Sequence, residues 1–120
     1  MKALNAFAIV IGIFLLIEGI WGFFNPVVFG VLSTNSTHAT IHVVLGLLAI
    51  FLGMRRAARG FCIFLGLLLL AVGILRFVPG PDELTVRFFN VNYAVAWLNI
   101  VVGAISLLLA LVAGRTPSRA

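Results

Sequence analysis

Two histidines four residues apart, His38 and His42, stand at the start of a long apolar run in the stretch "NSTHATIHVVLG". Side chains at this spacing share one face of a helix, so the two rings could hold a metal ion together. A four-coordinate zinc site needs further ligands, and Glu18 is the only plausible one that the sequence offers. The pair also cannot clamp both faces of one haem. We therefore predict no metal site, with His38 and His42 as the only candidate ligands.

Polar residues on three apolar segments are predicted to lie at the same depth in the membrane, and a residue on the fourth can reach that depth. Glu18 lies six residues before the end of the first apolar run, about 9 Å along a helix. His42 and Asn99 each lie seven residues after an asparagine, about 10 Å along theirs. Arg76 lies near the outer end of the third run and has a side chain long enough to bend inward. Ionisable residues inside a bilayer usually face the bundle and pair with one another. We predict a polar cluster near the outer leaflet that comprises Glu18, His42, Asn99, Arg76, Trp21 and His38.

The residue types in this cluster leave several roles open. Buried polar groups in membrane bundles often serve only as contacts between helices, worth about 0.6 kcal/mol each. The same groups could bind a lipid headgroup, a quinone or another small ligand, or relay a proton or an ion through Glu18 and His42. The chain has no nucleophile–base–acid set and no phosphate loop, which disfavours enzymes with soluble substrates. No cofactor is predicted, and contact with a lipid, a pigment or a quinone stays open.

The elements that must position this cluster are four membrane-spanning helices. Hydrophobic residues make up 63% of the 120 positions and charged residues 9%, whereas soluble domains carry about 25% charged residues. A helical span needs about 20 apolar residues, and such runs occupy about residues 3–24, 39–54, 60–78 and 91–114. An open sheet cannot satisfy its backbone in lipid, so the runs are helices. The stretch "PGPDE", which closes the third run, predicts a turn.

The charged residues predict that both termini face the cytoplasm. The formal charge is +5, but the basic residues lie in short clusters between apolar runs, so no nucleic-acid partner is predicted. One side of the membrane receives Lys2, Arg55, Arg56, Arg59, Arg115 and Arg119. The other side receives Arg76 and Arg87, which are offset by Asp82 and Glu83. Cytoplasmic loops carry the excess of Lys and Arg, so the predicted topology is N-in/C-in.

The two halves of the chain align with each other, which predicts an internal duplication. "GIFLLIEGI", which starts at Gly12, matches "GLLLLAVGI", which starts at Gly66. With three more residues in the second loop, the further aligned pairs are Asn35 with Asn92, His42 with Asn99, and Gly46 with Gly103. We predict one membrane domain, residues 1–120, with repeats at about 5–56 and 60–115. Two such hairpins are related by a pseudo-twofold axis along the membrane normal.

Small residues and helix caps add detail to this bundle. Small side chains on one face let membrane helices approach closely. The glycines predicted to pack between helices are Gly12, Gly19, Gly46, Gly66, Gly73 and Gly103. Asn35 and Asn92 are predicted to be helix N-caps, because an asparagine side chain accepts a hydrogen bond from the first turn.

Several of these segments resemble one known family. "NSTHATIHVVLG", the following "RR", "RFVPG" and "NVNYAVAWLNIVVG" are similar to the small four-helix bacterial proteins of domain of unknown function 4383 (DUF4383). The resemblance covers about residues 5–114. The second copy of the motif departs from the family pattern by having Val95 and Asn99, so two equivalent histidine sites are not expected. The resemblance implies the fold and a bacterial inner membrane, and it implies no activity.

These observations predict an all-α, integral membrane four-helix bundle built from two repeated hairpins. The primary functional hypothesis is a non-enzymatic accessory or scaffold subunit of a larger membrane complex, or a homo-oligomer, embedded in the lipid bilayer. The small size and the 11 phenylalanines favour it. The alternative is a binder or transporter of a small molecule, a lipid, a quinone or an ion that uses the polar cluster. A membrane enzyme with a metal at His38, His42 and Glu18 is the third hypothesis.

Overall fold

A computed structural model describes residues 2–115 of the chain. Four long helices dominate it, and each is long and apolar enough to cross a membrane. Two short strands form an antiparallel pair in the first loop, and a short helix lies in the third loop. In chain order the elements are α1 (Lys2–Phe24), β1 (Val27–Val28), β2 (Leu32–Ser33), α2 (Ser36–Met54), α3 (Ala58–Leu75), α4 (Pro81–Phe89) and α5 (Tyr93–Arg115).

The four predicted apolar spans are confirmed as four helices, with differences at their ends. The third span was expected at residues 60–78, but α3 begins at Ala58 and ends at Leu75. The prediction of a turn at "PGPDE" was wrong for its last three residues, because α4 begins at Pro81 and has Asp82 and Glu83 in its first turn. Proline is well suited to the first helical position, and acidic side chains favour the positive end of a helix dipole.

The helices pack most closely in two pairs, α1 with α2 and α3 with α5. In the first pair, a Cβ added to Gly46 would lie 2.7 Å from the carbonyl oxygen of Gly12. In the second pair, a Cβ added to Gly103 would lie 2.9 Å from the carbonyl oxygen of Gly66. A Cβ added to Gly19 would lie 2.8 Å from the carbonyl oxygen of Ala39. These distances leave no room for a side chain, so backbone-to-backbone packing joins each pair.

Contacts between the two pairs place the helices in a ring. α1 contacts α3 and α5, and α2 contacts α3. Two seams therefore run between the pairs, one between α2 and α3 and the other between α1 and α5. A central apolar core fills the middle, and it consists of Ile11, Leu15, Leu45, Ala49, Phe61, Leu65 and Leu69.

At one end of the bundle, residues 31–35 of the first loop bind residues 88–92, which comprise the end of α4 and the turn before α5; we call these two segments the clasp. Asn35 Nδ2 donates to the carbonyl oxygen of Phe88 at 3.0 Å, and Asn92 Nδ2 donates to that of Val31 at 2.9 Å. Asn90 adds to these bonds, because its Nδ2 donates to Thr34 O at 2.9 Å and its carbonyl oxygen accepts from Ser33 Oγ. The clasp therefore joins the loop of one helix pair to the loop of the other.

The same two asparagines cap the helices that follow them. Asn35 Oδ1 accepts from the backbone N–H of His38 at 2.9 Å, and Asn92 Oδ1 accepts from that of Val95 at 2.9 Å. Both predicted N-caps are confirmed. Each asparagine therefore uses its oxygen for its own helix and its nitrogen for the opposite loop.

Because of this double role, Asn92→Ala is expected to destabilise the fold by about 1–2 kcal/mol, through loss of the cap and of one hydrogen bond. Ser36→Ala is the control, because Ser36 is an exposed residue at the start of α2. This substitution should change stability little. Reversible unfolding in mixed micelles measures both. Equal effects of the two substitutions would contradict the double role.

Candidate functional site

Four polar side chains from three helices are buried near the clasp end of the bundle. Glu18 lies on α1, His38 and His42 lie on α2, and Asn99 lies on α5. Each of the four residues is only 6% exposed. Burying such groups costs free energy unless they are paired, so their surroundings decide whether they form structural contacts or a binding site.

The two histidines contact each other and one partner each. The His38 and His42 rings meet edge to face, with 4.2 Å between their centroids. His42 Nδ1 lies 3.9 Å from Glu18 Oε1, which is at the outer limit of ion-pair distances and too long for a hydrogen bond. His38 Nδ1 lies 3.0 Å from the carbonyl oxygen of Phe89. A carbonyl can only accept, so Nδ1 carries the proton and Nε2 of the neutral His38 ring is an acceptor.

A cavity of about 90 Å³ lies beside these rings, between α2 and α3. Its polar lining consists of His38, His42 and Asn99. Its apolar lining consists of Ile41, Leu45, Leu68, Leu69, Val72 and Phe89. Phe89, at the end of α4, lines the cavity on the clasp side, and the half-buried Ile41, Leu68 and Val72 line it from α2 and α3. The cavity is partly open and lies between two of the long apolar helices.

The polar groups around this cavity have unused hydrogen-bonding capacity. Across residues 2–115, the side chains of Glu18, His42 and Asn99 have no hydrogen-bond partner. Within that range, Asn5 Oδ1 is the one fully enclosed side-chain polar atom without a partner. The polar atoms of His42 and Asn99 are thus not sealed inside the protein, and both residues line the cavity. Buried polar groups are nearly always satisfied, so these two side chains are exceptions that retain hydrogen-bonding capacity beside the cavity.

Arg76 and Trp21 lie apart from these four residues. Arg76 Nε donates to the carbonyl oxygen of Val91 at 2.8 Å, and its guanidinium lies over the Tyr93 ring at 4.3 Å. Its Nη1 is 3.8 Å from Asp82 Oδ2. Arg76 therefore joins the end of α3 to α4 and to the start of α5 instead of bending into the cluster.

Trp21, the other residue expected at the cluster, is 38% exposed and packs edge-on against the Phe29 ring, with 4.8 Å between centroids. The structure thus brings together Glu18, His38, His42 and Asn99 from the predicted set.

The structure does not supply a third ligand for a metal at His38 and His42. The described part of the chain contains no group of three His, Cys, Asp or Glu side chains placed to hold a metal.

The two seams differ in how they are filled. In the α1–α5 seam, Phe14 stacks on Phe29 with 5.9 Å between centroids, and it packs against the cluster that contains Val95 and Leu98. In the alignment of the two halves, Leu68 occupies the position of Phe14. Leu68 is smaller than Phe14, and no aromatic side chain stacks on it as Phe29, between β1 and β2, stacks on Phe14. The α2–α3 seam therefore keeps the cavity that an aromatic pair fills on the other side.

Sequence reasoning missed the apolar lining of this cavity. Leu68, Leu69 and Val72 belong to a leucine-rich run in which no residue type stands out. The exchange of Phe14 for Leu68 between the aligned halves was the one available signal. Phe89 could not be placed, because α4 was not predicted.

Four membrane-spanning helices around a buried polar cluster define the class: this is an all-α integral membrane protein. Within that class, the chain belongs to the family described as domain of unknown function (DUF4383), which it matches over residues 5–112. The resemblance predicted from "NSTHATIHVVLG" and its companion segments is confirmed. No curated protein and no solved structure matches the chain.

Proposed function

We propose that this non-enzymatic membrane protein binds a small amphipathic molecule in the cavity between α2 and α3. The observation that carries the proposal is that His42 and Asn99, both 6% exposed, line a cavity without a hydrogen-bond partner among the described residues. Groups that only hold helices together would use their hydrogen bonds on each other. The proposal is the binding hypothesis of the sequence analysis, restricted to one site.

The position and size of the cavity support entry from the lipid phase. The partly open cavity lies between two of the long apolar helices, and Phe89 lines its clasp side. Pockets for whole drug-sized ligands measure about 300–1,000 Å³, whereas this cavity measures about 90 Å³. The cavity therefore holds only part of a ligand, beside His42 and Asn99, and the remainder lies along the seam in the bilayer.

We also propose a bacterial inner membrane with both termini in the cytoplasm. The end of the bundle opposite the clasp has the exposed basic residues Lys2, Arg55, Arg56 and Arg59. Their excess over acidic residues supports a cytoplasmic location by the positive-inside rule. The clasp and the cavity then lie in the outer half of the membrane.

The internal duplication is part of the same proposal, and reciprocal contacts support it. Gly12 packs on Gly46 as Gly66 packs on Gly103, and these are aligned positions of the two halves. In the clasp, the offset that aligns Asn35 with Asn92 also aligns Val31 with Phe88. The bond from Asn35 to Phe88 and the bond from Asn92 to Val31 are therefore the same contact made twice, as a twofold relation requires.

The accessory or scaffold role stays a prediction. Large apolar side chains are exposed on all four long helices, as contact with lipid requires, and they do not single out one face for a protein partner. The binding site is the more specific feature of the molecule.

We expect Leu68→Phe to fill the cavity and to remove bound small molecules, because the added ring enters the seam as Phe14 does on the other side. Mass spectrometry of molecules that co-purify with the protein in mild detergent measures the effect. At least one species should be about tenfold less abundant in the variant, which corresponds to about 1.4 kcal/mol.

Leu67→Phe is the matched control for this experiment. Leu67 is the preceding residue of the same helix and is 57% exposed, so its ring adds the same bulk on the lipid side. This control should retain the species found with the unmodified protein. Identical co-purifying molecules in all three proteins, with Leu68→Phe folded, would reject the proposed function.

A further inference from the structure

We infer that the cavity selects an uncharged amphiphile whose head is a hydroxyl group, an alcohol rather than a carboxylate, an amine or a ketone. The inference deepens the proposed function and rests on it. It follows from the charges and hydrogen-bonding groups that the lining offers and from those that it lacks.

An anionic head has no counter-charge at this site. Arg76, the basic residue that ends α3, is engaged by Val91, Asp82 and Tyr93. The residue of opposite type that lies nearest to His42 is Glu18, at 3.9 Å, and an acid provides no positive charge for a carboxylate or a phosphate. An ion that enters an apolar site without a partner carries a large desolvation cost.

A cationic head is disfavoured by the position of Glu18. This carboxyl group is not part of the cavity lining. The lining residues include no acid, so an ammonium group in the cavity has no opposite charge to pair with. Glu18 Oε1 instead lies 3.9 Å from His42 Nδ1.

The remaining groups match a hydroxyl. His38 Nε2 is an acceptor, because Nδ1 of the same ring donates to Phe89 O. Asn99 has an amide nitrogen with two protons to donate. A hydroxyl can donate to the imidazole and accept from the amide at the same time, whereas a ketone can only accept. A head of this kind also fits a cavity of about 90 Å³.

The chain has only two histidines, so their ring signals report directly on the cavity. The full chain with isotope-labelled histidine is placed in phosphatidylcholine nanodiscs, and a His38→Gln variant assigns the two rings. Decanol, decanone, decanoate, decylamine and decane are added at equal mole fraction in the lipid. We expect decanol to shift the ring signals saturably and the four others to have at least about fivefold weaker effects.

Two variants locate the effect within the protein. Leu68→Phe should abolish the decanol response, and Leu67→Phe should keep it. Asn99→Leu should weaken decanol binding about fivefold, because one hydrogen bond of the hydroxyl is lost.

The possible failures can be told apart. Saturable shifts with decanoate, decylamine or decanone that match or exceed those with decanol would overturn the alcohol assignment and leave the proposed function standing. Equal shifts with decane would overturn the assignment as well, because the head would not matter. No saturable shift with any of the five probes would overturn the assignment and the proposed function together.

Discussion

Gly46→Leu is expected to separate α1 from α2 and to destabilise the protein by about 3 kcal/mol or more. A Cβ at this position would lie 2.7 Å from Gly12 O and 2.8 Å from Leu16 N. Both are backbone atoms of a helix, so they cannot move aside as the end of a flexible side chain can. The leucine is therefore accommodated only if the whole helix shifts, and the central core loses its packing with it.

Gly60→Leu is the matched control, because a Cβ on this α3 glycine would meet no atom within 4 Å. Leucine also favours a helix by up to about 1 kcal/mol over glycine, so this variant should be as stable as the parent or slightly more stable. Unfolding curves in mixed micelles compare the two. A loss for Gly46→Leu no larger than that for Gly60→Leu would show that the close approach of α1 and α2 is not required.

The second large effect is expected for Arg76→Met, which should release α4 from the bundle. The guanidinium donates to Val91 O, lies over Tyr93 and faces Asp82. Methionine retains apolar bulk but makes none of these polar contacts. Hydrogen bonds to charged groups are worth about 1.5–3 kcal/mol, so amide protection in residues 79–92 should fall by one to two orders of magnitude, roughly.

Arg87→Met provides the comparison, since Arg87 is exposed on α4 itself. The same change removes a positive charge there without removing the contacts that Arg76 makes with Val91, Tyr93 and Asp82. Hydrogen exchange followed by mass spectrometry resolves the two cases, and α1 and α2 serve as internal references. Unchanged exchange of residues 79–92 in Arg76→Met would mean that other contacts hold α4 in place.

The long helices could be predicted from sequence because lipid makes the prediction simple. A segment of about 20 apolar residues with few charges must satisfy its backbone internally, and a helix does so locally. The caps at Asn35 and Asn92 were predictable for a similar reason, since a cap involves residues three positions apart. The grouping of Glu18, His42 and Asn99 followed from depth alone, because residues equally far below the helix ends share one level.

The loops and the cavity could not be predicted, because they depend on contacts between distant residues. The β1–β2 hairpin and α4 are held by bonds between residues 31–35 and 88–92, more than 50 positions apart. Arg76 was expected to bend inward, but the alternative partners at Val91, Asp82 and Tyr93 become visible only when α4 is in place. The cavity lies beside Leu68, which is aligned with Phe14. The sequence shows this difference in size, but it does not show which helices form each seam or that no other side chain fills the space.

Entry into the cavity between α2 and α3, as we propose it, changes what concentration means for this protein. A molecule that reaches the site from within the leaflet is diluted by surrounding lipid and not by the water outside. Occupancy should therefore follow the molar ratio of ligand to lipid. Adding inert vesicles would empty the site, while a tenfold larger aqueous volume would hardly change it for a ligand that partitions almost wholly into the membrane.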